Sequence, residues 1–264
     1  MKQHIYVIGD IHCGWQPVRD FVQRAPYLFR QKDAGDENVL ICLGDFGGNY
    51  FGNYRDDEFK KKLSSYPLTY FVIRGNHEER ASNVAANHPD KWHKEQYFNS
   101  PVWVENKFPN IKYALDLPMI YTIDGKKTLV VPGAYSVDKM YRLMNRYNWF
   151  PQEQLSDEEM NYGLELLNCH DWQVDIVLSH TCPICFEPTD LFLSFIDQNS
   201  VDKTMERYLG QIEYTLDYKL WMWGHYHAFR DYPRTDGKKR IMLSAGQEVI
   251  ELNQVFNDEE VIKL

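Results

Sequence analysis

The sequence predicts an α/β fold, and three observations predict it. Short apolar runs alternate with amphipathic stretches through the first half. Strand-like runs joined by Asp-Gly turns follow in the middle and again near the end. Asp, Asn and His cluster just beyond several of the apolar runs, at the strand ends where open α/β sheets bind ligands.

Taken in order, His4-Ile5-Tyr6-Val7-Ile8 begins a strand over 4–9, and an amphipathic helix over 15–31 leads to a strand over 38–43. A short helix over 56–64 and a strand over 68–73 continue the βαβ pattern. Residues 76–110, with scattered Pro, Asn and charge, read as a long irregular segment. Lys112–Leu115, Met119–Ile123 and Thr128–Val131 alternate as strands, and Asp124-Gly125-Lys126-Lys127 supplies hairpin turn chemistry. Ser156-Asp157-Glu158-Glu159 has capping-box spacing and opens a helix to about Cys169. The run Val174-Asp175-Ile176-Val177-Leu178 reads as a strand. A last helix over 201–215 precedes a strand over Lys219–Trp223. Phe229–Arg234 and Arg240–Ser244 then flank a second turn, Asp236-Gly237-Lys238-Lys239. No linker or low-complexity run divides the chain, so residues 1–264 read as one domain.

Five stretches carry the chemistry: Gly9-Asp10-Ile11-His12, Gly44-Asp45-Phe46-Gly47-Gly48, Gly75-Asn76-His77-Glu78, Ser179-His180 and Gly224-His225-Tyr226-His227. Four have Gly immediately before the polar residue, which lets the backbone turn and come close to a ligand. Any one stretch alone reads as an ordinary turn. Together they place five of the nine His beyond apolar runs. A mixed carboxylate, amide and imidazole set is too rich in nitrogen for Ca²⁺ or Mg²⁺ and lacks structural-zinc thiolates. It suits two divalent transition-metal ions, Mn²⁺ first, with Fe, Zn²⁺ or Ni²⁺ as alternatives. Two such ions sharing a carboxylate can hold a hydroxide between them and clamp both oxygens of an in-line displacement, which suits phosphoryl chemistry.

The order of these motifs resembles the calcineurin-like metallophosphoesterase superfamily across residues 9 to 227. That resemblance implies two packed mixed β-sheets flanked by helices, a four-layer αββα sandwich. It implies hydrolysis of a phosphomonoester or phosphodiester by a hydroxide bridging two metals. Asp10, His12 and His227 would hold the first metal and Asn76, His180 and His225 the second, with Asp45 bridging. His77 would donate the proton to the leaving group. The protein phosphatases of the superfamily carry Asp-Arg-Gly after the second motif, whereas Phe46-Gly47-Gly48-Asn49 follows Asp45 here. The phosphate-binding Arg and the Asp that orients the catalytic His are therefore missing, which argues against a phosphoprotein phosphatase. The segment Gly133 to Arg142 looks like a loop near the site in some bacterial and phage members, where Ser136 or Arg142 could replace that Arg.

Aromatics form 15% of the chain and several flank the motifs. Tyr50, Tyr135 and Tyr226 could line the cleft and stack on a nucleobase or aryl group, so the expected partner is a small phosphoester, which includes nucleotides. A net charge of −9 argues against duplex DNA and anionic membrane as partners. It also counts against a nuclease, the competing enzyme reading. A scaffold that has lost its metal ligands is the non-enzyme reading, and here every expected ligand residue is present. The run from Met1-Lys2-Gln3 straight into a strand offers no signal peptide or membrane span, so a cytoplasmic location is expected. Cys182-Pro183-Ile184-Cys185 lacks the second pair of a zinc site and reads as loop.

Overall fold

The computed structural model describes residues 2–26, 36–257 and 263–264. Two mixed sheets organise it. The first has seven strands in the order β13 (Val249–Glu251), β1 (Gln3–Ile8), β2 (Glu37–Cys42), β3 (Thr69–Val72), β6 (Ile111–Tyr113), β5 (Ser100–Glu105) and β4 (Trp92–Tyr97). The second has six, in the order β11 (Arg230–Asp231), β12 (Lys239–Met242), β10 (Leu220–Trp223), β9 (Ile176–Ser179), β8 (Lys126–Val131) and β7 (Met119–Ile123). In each sheet the inner strands run parallel: β1, β2, β3 and β6 in the first, β12, β10, β9 and β8 in the second. The outer strands add antiparallel.

Strand periodicity sorts the apolar residues into layers. Ile5 and Val7 of β1 and Val39 and Ile41 of β2 face Ile176 and Leu178 of β9 and Leu220 and Met222 of β10 in one core between the sheets. Their alternates Tyr6, Ile8, Leu40 and Cys42 pack outward against Val18 and Phe21 of the Gln16–Arg24 helix and Phe59 and Leu63 of the Tyr54–Leu63 helix. On the other side Val177, Trp221 and Trp223 pack against Leu167 of the Asp157–Cys169 helix and Leu209 and Ile212 of the Thr204–Thr215 helix. Helix, sheet, sheet and helix are thus stacked as four layers. No helix among the described residues is long and apolar enough to cross a membrane.

Most elements fall close to expectation; β13 and the Leu252–Phe256 helix have no expected counterpart, and three further differences stand out. Residues 76–110 are not irregular: they hold the Ala81–Asn87 helix and the β4–β5 hairpin. The hairpin turns at Phe98 and Asn99, both at positive φ (53° and 61°), and a bulky Phe there carries no sequence signal for a turn. Its edge strand β4 exposes His93 and Lys94, as sheet edges do to avoid further pairing. The Gly133–Arg142 loop gains a helix, Lys139–Asn145, which buries none of its residues and so shows no apolar periodicity. The first helix ends at Arg24, and the rest of the expected 15–31 span lies mostly outside the described residues. Elsewhere the Asp124-Gly125 turn joins β7 to β8, and Ser156 caps its helix with the reciprocal Glu159 bond.

Candidate metal centre

All five motif stretches follow inner parallel strands. Asp10 and His12 lie beyond β1, Asp45 beyond β2, and Asn76 and His77 beyond β3, while His180 lies beyond β9 and His225 and His227 beyond β10. Strands of both sheets therefore deliver side chains to one place. The local backbone is strained to do it: His12, Asp45, His225 and His227 all have positive φ, at 44°, 44°, 67° and 56°. The preceding glycines clear the space. A Cβ on Gly44 would collide with the His180 ring, on Gly75 with the Asp45 carboxylate, and on Gly224 with that of Asp10.

Two groups of donor atoms form, each within 4.8 Å: Asp10, His12 and His227, and Asp10, Asp45 and His180. His227 Nε2 lies 3.2 Å from Asp10 Oδ2 and His12 Nε2 lies 2.9 Å from His227 Nε2. Asp45 reaches both ways, with Oδ2 3.8 Å from His12 Nδ1 and Oδ1 3.6 Å from His180 Nε2. Asn76 Oδ1 lies 2.8 Å from His180 Nε2, and the His225 ring centroid lies 5.0 Å from that of His180. His180 Nδ1 lies 2.7 Å from the Leu43 carbonyl and can donate to it, which turns Nε2 into the site. Lone-pair nitrogens and carboxylate oxygens that face one another this closely suit cations of the first transition row, so the donor set fits the metals expected of it.

The electrostatics agree. Burial pushes the Asp10 and Asp45 carboxyls up, but the surrounding imidazoles, His180 foremost, outweigh it and hold both below the usual carboxylate range. Burial, helped by His180, pushes His225 down to about 3, so its ring is neutral and free to donate a lone pair. Burial also lowers His77, Asp45 pulls it back, and Arg142 lowers it again. The net direction is down.

Residues around the donors hold them in place. The backbone N–H of His225 is shared between both Asp10 oxygens at 3.1 Å, and that of His77 donates to Asp45 Oδ1 at 2.8 Å. Glu78 is buried and accepts from the N–H groups of Phe46, Gly47 and Gly75, tying the second motif to the third. Burial and the nearby Asp45 push its carboxyl up to about 7. Asn76 Nδ2 donates to Ser136 Oγ at 2.9 Å, and that hydroxyl donates to Glu153 Oε2 at 2.5 Å. Ser136, expected against the substrate, is thus buried and committed on both sides. Sequence reasoning missed Glu78 and Glu153 because each acts through contacts that no local pattern encodes.

His77 and Arg142 meet directly, with Arg142 Nη2 3.1 Å from His77 Nε2. Arg142 is held by Asp138 at 2.8 Å and donates to the Tyr50 hydroxyl at 3.1 Å. Tyr135 and Tyr226 line the same cavity as Asp45, Asn76, His77, His225 and His227. Tyr50 lines a neighbouring one, together with Phe51 and Trp149. Arg74 is buried, paired with Asp116 at 3.2 Å and donating to the Glu153 carbonyl at 2.8 Å, so it packs rather than faces the site. Burial and Glu78 push the Cys13 thiol up to about 12, which keeps it protonated and unreactive.

Comparison with known proteins gives one family. The calcineurin-like phosphoesterase family matches residues 3–229. Among solved structures, the chain is similar to TT1561 of Thermus thermophilus at 14% identity and a TM-score of 0.50, covering 100% of this chain and 99% of that one. It is similar to a dimetal phosphatase from Danio rerio at 10% identity and a TM-score of 0.50, covering 94% and 92%. At these identities the likeness is one of fold. No curated protein matches the chain.

Proposed function

The chain belongs to the calcineurin-like phosphoesterase family, and on that premise we propose that it hydrolyses a phosphomonoester or phosphodiester at a two-metal centre. The observation that carries the reading is the convergence of Asp10, Asp45, Asn76, His180 and the His225–His227 pair from both sheets. Because the two halves build one centre, we read the chain as one domain. Asp10, His12 and His227 would hold one ion and Asn76, His180 and His225 the other, with Asp45 shared by both. The group Asp10, His12 and His227, the contact of Asn76 with His180 and the two-way reach of Asp45 support this division. Bound Mn²⁺, Fe, Zn²⁺ or Ni²⁺ would supply the charge that binds the phosphoryl group and makes water a nucleophile at neutral pH.

The chain's own residues supply the rest. In the net reaction water's oxygen bonds to phosphorus, the bond to the leaving oxygen breaks, and that oxygen takes a proton. His77 stands at the cavity wall beside Asp45 and is the group that gives this proton. Arg142 takes the place of the phosphate-gripping Arg missing after Asp45. In the free protein its guanidinium helps hold His77 below its ordinary pKa.

The test is turnover of p-nitrophenyl phosphate and bis-p-nitrophenyl phosphate side by side, with Mn²⁺ and then with chelator. Metal-dependent hydrolysis of either is expected, and the preferred one assigns the monoester or diester class. Chelator-resistant turnover, or none with Mn²⁺, Fe²⁺ or Zn²⁺, contradicts the reading.

A further inference from the structure

The cavity that contains Asp45, Asn76, His77, His225 and His227 extends well beyond them. Its volume is about 380 Å³, within the range of about 300–1,000 Å³ usual for small-molecule sites. Away from the His cluster one part of the wall is apolar, built from Tyr135, Val137, Phe192, Leu193, Ile196 and Tyr226. Phe192 stacks on Tyr226, with centroids 6.4 Å apart and planes 24° from parallel. Val137, Leu191 and Leu193 leave 46%, 41% and 52% of their surface exposed. An apolar lining with a few polar groups at one end is the usual make-up of a small-molecule site.

Charge narrows the ligand further. Asp138, Glu187, Asp202 and Glu206 line this cavity, and no Lys or Arg does among the described residues. Each carboxylate is already engaged: Asp138 with Arg142, Glu187 with Lys203, Asp202 with Gln154 and Thr204, and Glu206 with Thr181. With those partners they have little call for a cationic ligand, and the wall offers no Lys or Arg to receive a second anionic group. Extra phosphates of a nucleoside polyphosphate, or of a nucleic-acid strand, would be desolvated here without a cationic side chain of this wall to pair with.

We propose that the substrate is a phosphoester whose non-phosphate half is an uncharged alkyl or acyl chain, seated against Tyr135, Phe192, Leu193 and Ile196. This rests on the reading of the centre as a phosphoesterase and adds the substrate class. The apolar wall then sets specificity, while the phosphate end supplies the chemistry.

The experiment uses two homologous series with Mn²⁺: n-alkyl phosphates and n-alkyl p-nitrophenyl phosphates, ethyl through octyl. Leaving-group chemistry is nearly constant within each series, so chain length reads the cavity alone. In the series that is turned over, each added methylene is expected to raise kcat/KM by roughly two- to fourfold until the cavity is filled. An ω-carboxylate on the hexyl member should lose roughly tenfold or more. Leu193→Ser and Ile196→Ser should flatten the octyl-to-ethyl ratio, which is internal to each variant and independent of its active fraction. Turnover with a flat ratio in the wild type, or a ratio unchanged by both substitutions, overturns the apolar-chain proposal and leaves the phosphoesterase reading standing. Turnover of no member with Mn²⁺, Fe²⁺ or Zn²⁺ overturns the phosphoesterase reading and this proposal with it.

Discussion

Asn76 Oδ1 lies 2.8 Å from His180 Nε2, joining the end of β3 in the first sheet to the end of β9 in the second. Both side chains are buried, and each is held from behind, His180 by the Leu43 carbonyl and Asn76 by Ser136. The site is therefore a seam between the sheets. Preorganisation of this kind keeps ligand atoms in place without reorganisation when a charged group arrives.

Ser136→Ala tests the support behind Asn76. It strands a buried amide N–H and a Glu153 oxygen, at a cost of about 1–3 kcal/mol. Metal content measured by mass spectrometry should fall from two ions per chain toward one, since only the Asn76 side is loosened. Retention of both ions at full affinity would show that Ser136 does not position Asn76.

Gly75→Ala tests the close approach of strands. Gly75 has an ordinary φ, so the only penalty is the collision of the new Cβ with Asp45. Overpacking should cost about 1–3 kcal/mol of stability, and a displaced Asp45 should lower turnover on the order of 100-fold. Wild-type turnover in a folded Gly75→Ala protein would mean that Asp45 is not held where the reading needs it.

These same residues explain how much the sequence disclosed. Gly-Asp, Gly-Asn and Gly-His after apolar runs are local patterns, so the residues that converge here could be named as candidate donors before any fold was known. Arg142 was legible as a candidate because its loop is rich in donors. Ser136 was misplaced against the substrate, because its partners Asn76 and Glu153 lie 60 and 17 residues away in the chain. Glu78 was read only as the end of its motif, since its work is to accept N–H groups about 30 residues upstream. The β4–β5 hairpin was hidden by its Phe98-Asn99 turn and its charged edge strand. Pattern reveals what the chain offers to one face, and long-range contacts decide which neighbour uses it.

His77→Asn separates proton donation from metal binding. Metal content should stay intact, and alkyl esters should slow by roughly 100-fold or more, within the usual contribution of general acid catalysis. p-Nitrophenyl esters, whose leaving group needs no proton, should slow far less. Equal slowing of both would remove His77 from the acid role.

Glu206 offers a stability prediction with a defined sign. Burial, only partly offset by the Thr181 hydroxyl and Lys203 and reinforced by Glu187, raises its carboxyl from 4.5 to about 7. The folded state thus favours the protonated form. Its contribution is complete below pH 4.5 and is lost as pH rises through about 7. Glu206→Gln should remove that loss and gain on the order of 3 kcal/mol over wild type at pH 8, with little difference at pH 4. Urea unfolding at both pH values reads it. Parallel curves for the two proteins would show that the carboxyl is not strained.

The most direct measurement is reconstitution of the metal-free protein with Mn²⁺ while p-nitrophenyl ester turnover is followed, for wild type and Asp45→Asn. Wild-type turnover should rise from baseline and level off at two equivalents per chain. Asp45→Asn should bind both ions weakly and fall by orders of magnitude in rate, because one carboxylate serves both positions. Saturation at one equivalent, or an Asp45→Asn protein as active as wild type, would contradict a shared two-metal centre.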